Sequence, residues 1–129
     1  MRPGKPVLFA LLGQTLVFGL PGNPVSAAVG FDFFVRASLR TRAGLPPLPV
    51  PIGAALLAPV KNKGSRLALL PGRLHFAGGT VAVEPIPTRG SHDVLSQSLA
   101  DATFVVPGGT SLRAGEVVEV YPALRACRS

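Results

Sequence analysis

The sequence holds one cysteine, Cys127, two histidines, one tyrosine and no tryptophan. A lone thiol excludes an internal disulfide framework and fits a reducing, cytoplasmic setting. His75 and His92 are too scattered for a zinc pattern. With one tyrosine and no tryptophan, surfaces on which bases stack are scarce, which argues against nucleic acid as a partner. No apolar run approaches the ~20 residues of a membrane-spanning helix, so a membrane is not expected as a partner either. Acids are few and unevenly placed. Through residue 83, Asp32 stands against nine Lys or Arg; from Glu84 onward, five acids face four Arg. No D-x-D or paired-Glu arrangement appears, so a full set of metal ligands is not expected. The Ser91-His92-Asp93 run is no catalytic triad, because sequential neighbours lack the mutual geometry that a triad needs.

What the chain has in quantity is proline and glycine, 14 and 15 residues out of 129. They alternate with Val, Leu and Phe, which reads as punctuation between short strands rather than as disorder. The length suits one compact domain or two small ones. A net charge of +7 points toward phosphates, nucleic acid or another oxyanion as a ligand, with a merely solvated basic surface as the alternative.

Residues 6–12 (PVLFALL) and 15–20 (TLVFGL) read as two buried strands joined at Gly13-Gln14. Arg2 and Lys5 ahead of this run, with VSA beyond it, have the layout of a secretory leader. The split at Gly13-Gln14 and the prolines at 3 and 6 argue against one. In the corner GLPGNPVSA, Asn23 is placed to cap a helix that Pro24 opens. Val25, Ala28, Val29, Phe31, Val35 and Leu39 then recur at helical spacing. Arg36, Arg40 and Arg42 complement the helix dipole toward its end, and Gly44 suits the position past it.

LPPLPVP (45–51) reads as a semi-rigid linker. Beyond it, strands are expected near 52–60, 66–70, 73–77, 80–85, 102–106 and 116–121, with a hairpin turn at Gly78-Gly79. A small sandwich or open barrel follows. Two strands and one helix cannot close a core, so residues 6–44 should leave apolar faces open for another chain or for more of the same protein.

The run RPGKPVLFALLG…TLVFGLPGNPVSAAVGFDFFVRASLRTRAG resembles the C-terminal part of the molybdopterin-binding domain of the MoeA-like molybdopterin molybdenumtransferases, related to the gephyrin E domain. PGRLHF, GSHDVLSQSLADATFVVP and LRAGEVVEVYP resemble the same family's small β-barrel domain. The fold class implied is an α/β fragment, the end of a molybdopterin-binding α/β domain (1–45), then a Pro-rich linker (46–51). A small all-β barrel-like domain (52–124) and a tail (125–129) complete it. The family inserts molybdate into adenylylated molybdopterin with Mg2+, releasing AMP. The resemblance therefore implies molybdate and molybdopterin-AMP as substrates and Mg2+ as cofactor. It also implies a homodimer or a complementary N-terminal fragment as partner.

Carried over by motif, Lys5 and Pro6 of PGKP, Ser26 of NPVS, Arg73 of PGR and Ser91 of GSH match positions lining the substrate and molybdate pocket. Gly22, Asn23 and Pro24 form the corner of an anion cradle. Arg2 stands where the family often has a further lysine, and the two cations differ in hydration and geometry. The family's Gly/Ser-rich phosphate loop and metal-holding acids have no match here. No catalytic residue is assigned, and activity is not expected without the missing N-terminal region. The alternative is a non-catalytic anion- or pterin-binding or interaction module of the same family.

Overall fold

The computed structural model describes residues 7–48, 50–88 and 94–123. Apolar alternation around Gly13-Gln14 gives a hairpin in which β1 (Leu8–Leu12) runs antiparallel to β2 (Thr15–Gly19). Phe9 faces Phe18 and Leu11 faces Leu16. The two phenylalanine rings lie 5.3 Å apart and tilted, a favourable aromatic geometry.

The Pro-Gly-Asn-Pro corner starts the helix as its residue types dictate. Asn23 is extended, Pro24 opens α1 (Pro24–Gly30), and the Asn23 side chain accepts from the amides of Val25 and Ser26. Regular spacing predicts one α-helix to Gly44; the chain instead inserts a π-helical turn, Phe31–Val35, before α2 (Arg36–Arg42). The amide of Arg36 reaches the Phe31 carbonyl across this wider turn. The rotation sets Phe33 edge-on against Tyr121 at 5.4 Å. At the far end Gly44 takes φ +76°. Leu45 N–H donates to the Arg40 carbonyl (2.9 Å) and Gly44 N–H to that of Thr41 (3.1 Å), the Schellman arrangement. Arg40 and Arg42 also donate to the carbonyls of Pro46 (2.7 Å) and Gln14 (2.6 Å). The second bond ties the helix end to the hairpin turn.

The rest is a closed five-stranded barrel. Its strands are β3 (Ile52–Leu56), β5 (Ala68–Ala77), β6 (Thr80–Pro85), β7 (Ala102–Val106) and β9 (Val117–Pro122), in the order β3-β6-β5-β7-β9. Every neighbouring pair is antiparallel except β3 with β6. Alternate residues point inward, and Leu56, Val83, Phe104, Val106 and Val120 are fully buried. A short ribbon of β4 (Val60–Asn62) and β8 (Thr110–Leu112) stands beside the barrel. Asn62 Nδ2 fastens it by donating to the carbonyls of Arg66, Val106 and Pro107. A short helix, α3 (Val94–Leu99), touches both α1 and β5. None of the described helices is long and apolar enough to cross a membrane.

The elements of the structure differ from the sequence reading in four respects. The strand expected over 52–60 stops at Leu56, and β4 leaves the barrel after Pro59, which has no N–H to pair. The strands expected at 66–70 and 73–77 are one strand, β5, running through Pro71-Gly72. The turn α3 and strand β8 were not expected at all. The sheet closes into a barrel rather than remaining open.

Hairpin and helix enclose an apolar groove of about 650 Å³, lined by Phe9, Leu16, Phe18, Phe33 and Phe34 among others. The two strands expected to be buried are not. β1 is exposed along its whole length, on the groove side (Phe9 59%) as on the other (Leu8 70%, Leu12 75%), because nothing among the described residues covers it. This unit therefore leaves apolar surface open, as expected from its size.

Gly72 faces the barrel core, where a Cβ would lie 2.5 Å from Val83 Cγ2 and 3.1 Å from Phe104 Cδ1. Gly72→Ala should cost about 1–3 kcal/mol through overpacking. Gly22→Ala, with nothing within 4 Å of the added carbon, should stay within about 0.5 kcal/mol of wild type. Thermal or urea unfolding of the two variants checks the contrast.

Candidate anion-binding site

Of the residues that the motifs single out, Gly22, Asn23, Pro24, Ser26 and Arg73 lie among the described residues; Lys5, Pro6 and Ser91 lie outside them. Ser26 sits in the first turn of α1 and is 6% exposed. A cradle built from backbone amides needs free N–H donors at this corner, and the described ones are engaged. Pro24 has no N–H, the amides of Val25 and Ser26 donate to Asn23 Oδ1 at 3.0 and 3.4 Å, and Ala27 N–H donates to the Asn23 carbonyl at 2.9 Å. The corner is a well-satisfied helix cap. What it offers an anion is the Ser26 hydroxyl and the positive end of the helix.

Arg73 lies on the outer face of β5, directly opposite Glu84 of β6. Leu69 and Pro71, on the same outward phase of β5, are buried. The strand thus emerges from cover just where Arg73 begins its exposed stretch. No hydrogen bond joins Ser26 to Arg73 among the described residues. What connects their elements is α3, which touches α1 on one side and β5 on the other.

The carboxylates tell the complementary story. Asp32 pairs with Arg36 at 3.1 Å, while the Arg36 guanidinium lies 5.6 Å over the Phe31 ring. Glu84 Oε2 bonds His75 Nε2 at 2.9 Å. Asp101 Oδ1 accepts the Leu74 amide at 2.7 Å and extends the β5–β7 ladder past its end. Glu116 accepts the Arg113 amide, and Glu119 accepts the Tyr121 hydroxyl. Every described carboxylate is therefore committed, and no three His, Cys, Asp or Glu among the described residues gather as metal ligands. This donor set does not fit Mg2+, which needs carboxylate oxygens turned to one point.

Two pairings escaped the sequence reading. His75 and Glu84 are nine residues apart and meet only because β5 and β6 form a hairpin. Their outward phase around Gly78-Gly79 is the one signal that points to them. Tyr121 and Glu119 alternate on β9, and the phenol's edge contact with Phe33 comes from the π-helical turn.

The described residues thus form a small closed β-barrel preceded by a hairpin and a capped helix, with Arg73 exposed on its outer face. The chain belongs to the family described as the MoeA C-terminal region (domain IV), whose model matches residues 53–123. It is 30% identical over 122 residues to the molybdopterin molybdenumtransferase of Bacillus subtilis, covering 93% of this chain and 28% of that protein. It is 34% identical over 129 residues to molybdopterin molybdenumtransferase 1 of Mycobacterium tuberculosis, covering 93% and 30%. The structure of the molybdopterin biosynthesis MoeA protein of Pyrococcus horikoshii superposes with a TM-score of 0.72 at 32% identity, covering 94% of this chain and 29% of that one. The chain thus spans under a third of the length of these relatives.

The hydrogen bond to Glu119, partial burial and the Glu119 charge, in that order, raise the Tyr121 phenol above its ordinary value. The protonated phenol is the form that the fold favours. Its stabilisation is whole below about pH 10, the free-tyrosine value, and is lost as pH rises through the higher folded value. Tyr121 is the only tyrosine and there is no tryptophan, so tyrosinate absorbance reports it without interference. The midpoint should lie above that of free tyrosine in the native chain, and Glu119→Ala, which removes both the acceptor and the charge, should lower it toward that value.

Proposed function

We propose that this chain provides the oxyanion-binding wall of a site that inserts molybdate into adenylylated molybdopterin, with AMP as the leaving product. In this reading the Arg73 guanidinium and the Lys5 ammonium balance the charge of molybdate and phosphate oxygens. The Ser26 and Ser91 hydroxyls donate to them, and Pro6 with the Gly22-Asn23-Pro24 corner shapes the wall. The observation that carries it is the guanidinium of Arg73, exposed in a family motif and paired with no acid among the described residues. Its planar fork matches two oxygens of an oxyanion.

The described carboxylates are spent on structural bonds, so the reading assigns Mg2+ ligands and the phosphate loop to chain beyond this sequence or to a complementary partner, and no step here runs through the metal. Residues 1–45 are then the end of the molybdopterin-binding α/β domain, whose open hairpin faces meet the remainder of that domain. The same spent carboxylates favour a second reading, a non-catalytic module of the family that keeps the anion site or presents the barrel as an interaction surface. Turnover by this chain mixed with the complementary N-terminal region of a relative separates the two: product formation supports the enzyme, and binding without product supports the module.

Molybdate affinity of the full chain, measured by calorimetry, tests the shared core of both readings. Arg73→Ala should weaken it about 10- to 100-fold, the worth of a charge-assisted hydrogen bond. Arg73→Lys, which keeps the charge and loses the fork, should fall between. Equal binding by wild type and Arg73→Ala would sink the assignment.

A further inference from the structure

Arg73 and Glu84 carry opposite charges and face each other directly across β5 and β6. Facing residues of an antiparallel pair have Cβ atoms only ~4.5–5.5 Å apart, and an opposite-charge pair there is normally favourable. The pair is not made. Glu84 Oε2 turns instead along the diagonal to His75 Nε2, at 2.9 Å, and no ion pair joins Arg73 to Glu84. His75's own facing partner is Ala82, a side chain too short and apolar to compete for the carboxylate. Because an ionised carboxylate only accepts, Nε2 carries the hydrogen. The bond therefore holds whether or not the ring's other nitrogen is protonated.

We propose that His75 is a positioning residue that holds Glu84 away from Arg73, so that the guanidinium meets an incoming oxyanion uncommitted. Glu84 is then an internal competitor for the same cation, and the site's affinity is set by which partner holds it. This inference rests on the reading of Arg73 as an oxyanion ligand. His75 touches no substrate in it and acts only through Glu84. Both side chains are about half exposed, so replacing them leaves the barrel core intact.

The test uses the full chain labelled with 15N, with molybdate as the probe. In His75→Ala the freed carboxylate turns to Arg73. The Arg73 Nε–H resonance shifts and its exchange with water slows, and molybdate affinity falls about two- to fivefold, the scale of a half-exposed ion pair. Adding Glu84→Gln to His75→Ala removes the competitor and restores both readouts. His75→Gln, whose amide also donates to the carboxylate, stays near wild type. A His75→Ala chain with an unchanged Arg73 resonance and unchanged affinity, beside a weakened Arg73→Ala, overturns this inference alone. An Arg73→Ala chain that binds molybdate as tightly as wild type overturns the oxyanion reading and this inference with it.

Discussion

The barrel closes around a missing side chain. At Gly72 the backbone of β5 passes so near Val83 and Phe104 that even a methyl group would collide. These two residues belong to β6 and β7, the strands on either side of β5. The close approach lets Val83 and Phe104 pack into one small core, which five strands with few aromatics fill only if nothing is wasted. The same passage fixes what lies next along the strand. Arg73 and His75 follow on the outer phase, and their position depends on how tightly β5 is gripped one residue earlier. Asp101 adds to the grip by taking the Leu74 amide after the β5–β7 ladder has ended.

The hairpin and helix reach the barrel through few contacts, each specific. Phe33 meets Tyr121 edge-on, and α3 lies between α1 and β5. Phe33, carried on the π-helical turn, meets Tyr121 and also lines the groove against the hairpin together with Phe34. The local departure from α geometry thus coincides with a long-range contact.

Features encoded within a few residues were legible in the sequence. Asn23-Pro24 and Gly44 mark the helix ends by conformational preference alone, Gly13-Gln14 and Gly78-Gly79 mark the turns, and alternation marks β6, β7 and β9. Features set by distant neighbours were not. The three residues Thr110–Leu112 become a strand only because β4 lies beside them. The turn Val94–Leu99 has no apolar period long enough to reveal it and is held by what it packs against. Within the site, the motif carried Arg73, but its freedom depends on a diagonal choice made by Glu84, which no one-dimensional pattern displays. The engaged amides at Asn23 show the reverse case, in which the residue type that caps the helix also uses up the donors that a cradle would need.

The pairing of β3 with β9 places the first and last strands of the barrel side by side. Its closure on the ribosome therefore waits until Pro122 has emerged. From Ile52 that is about 70 residues of synthesis, on the order of 4–14 s at ordinary elongation rates. Throughout that interval the β1–β2 ribbon is already out, with a row of leucines on a strand edge that has neither lysine nor proline to guard it. The order of the segments along the chain thus brings the apolar ribbon out before the barrel, with its fully buried core, can close.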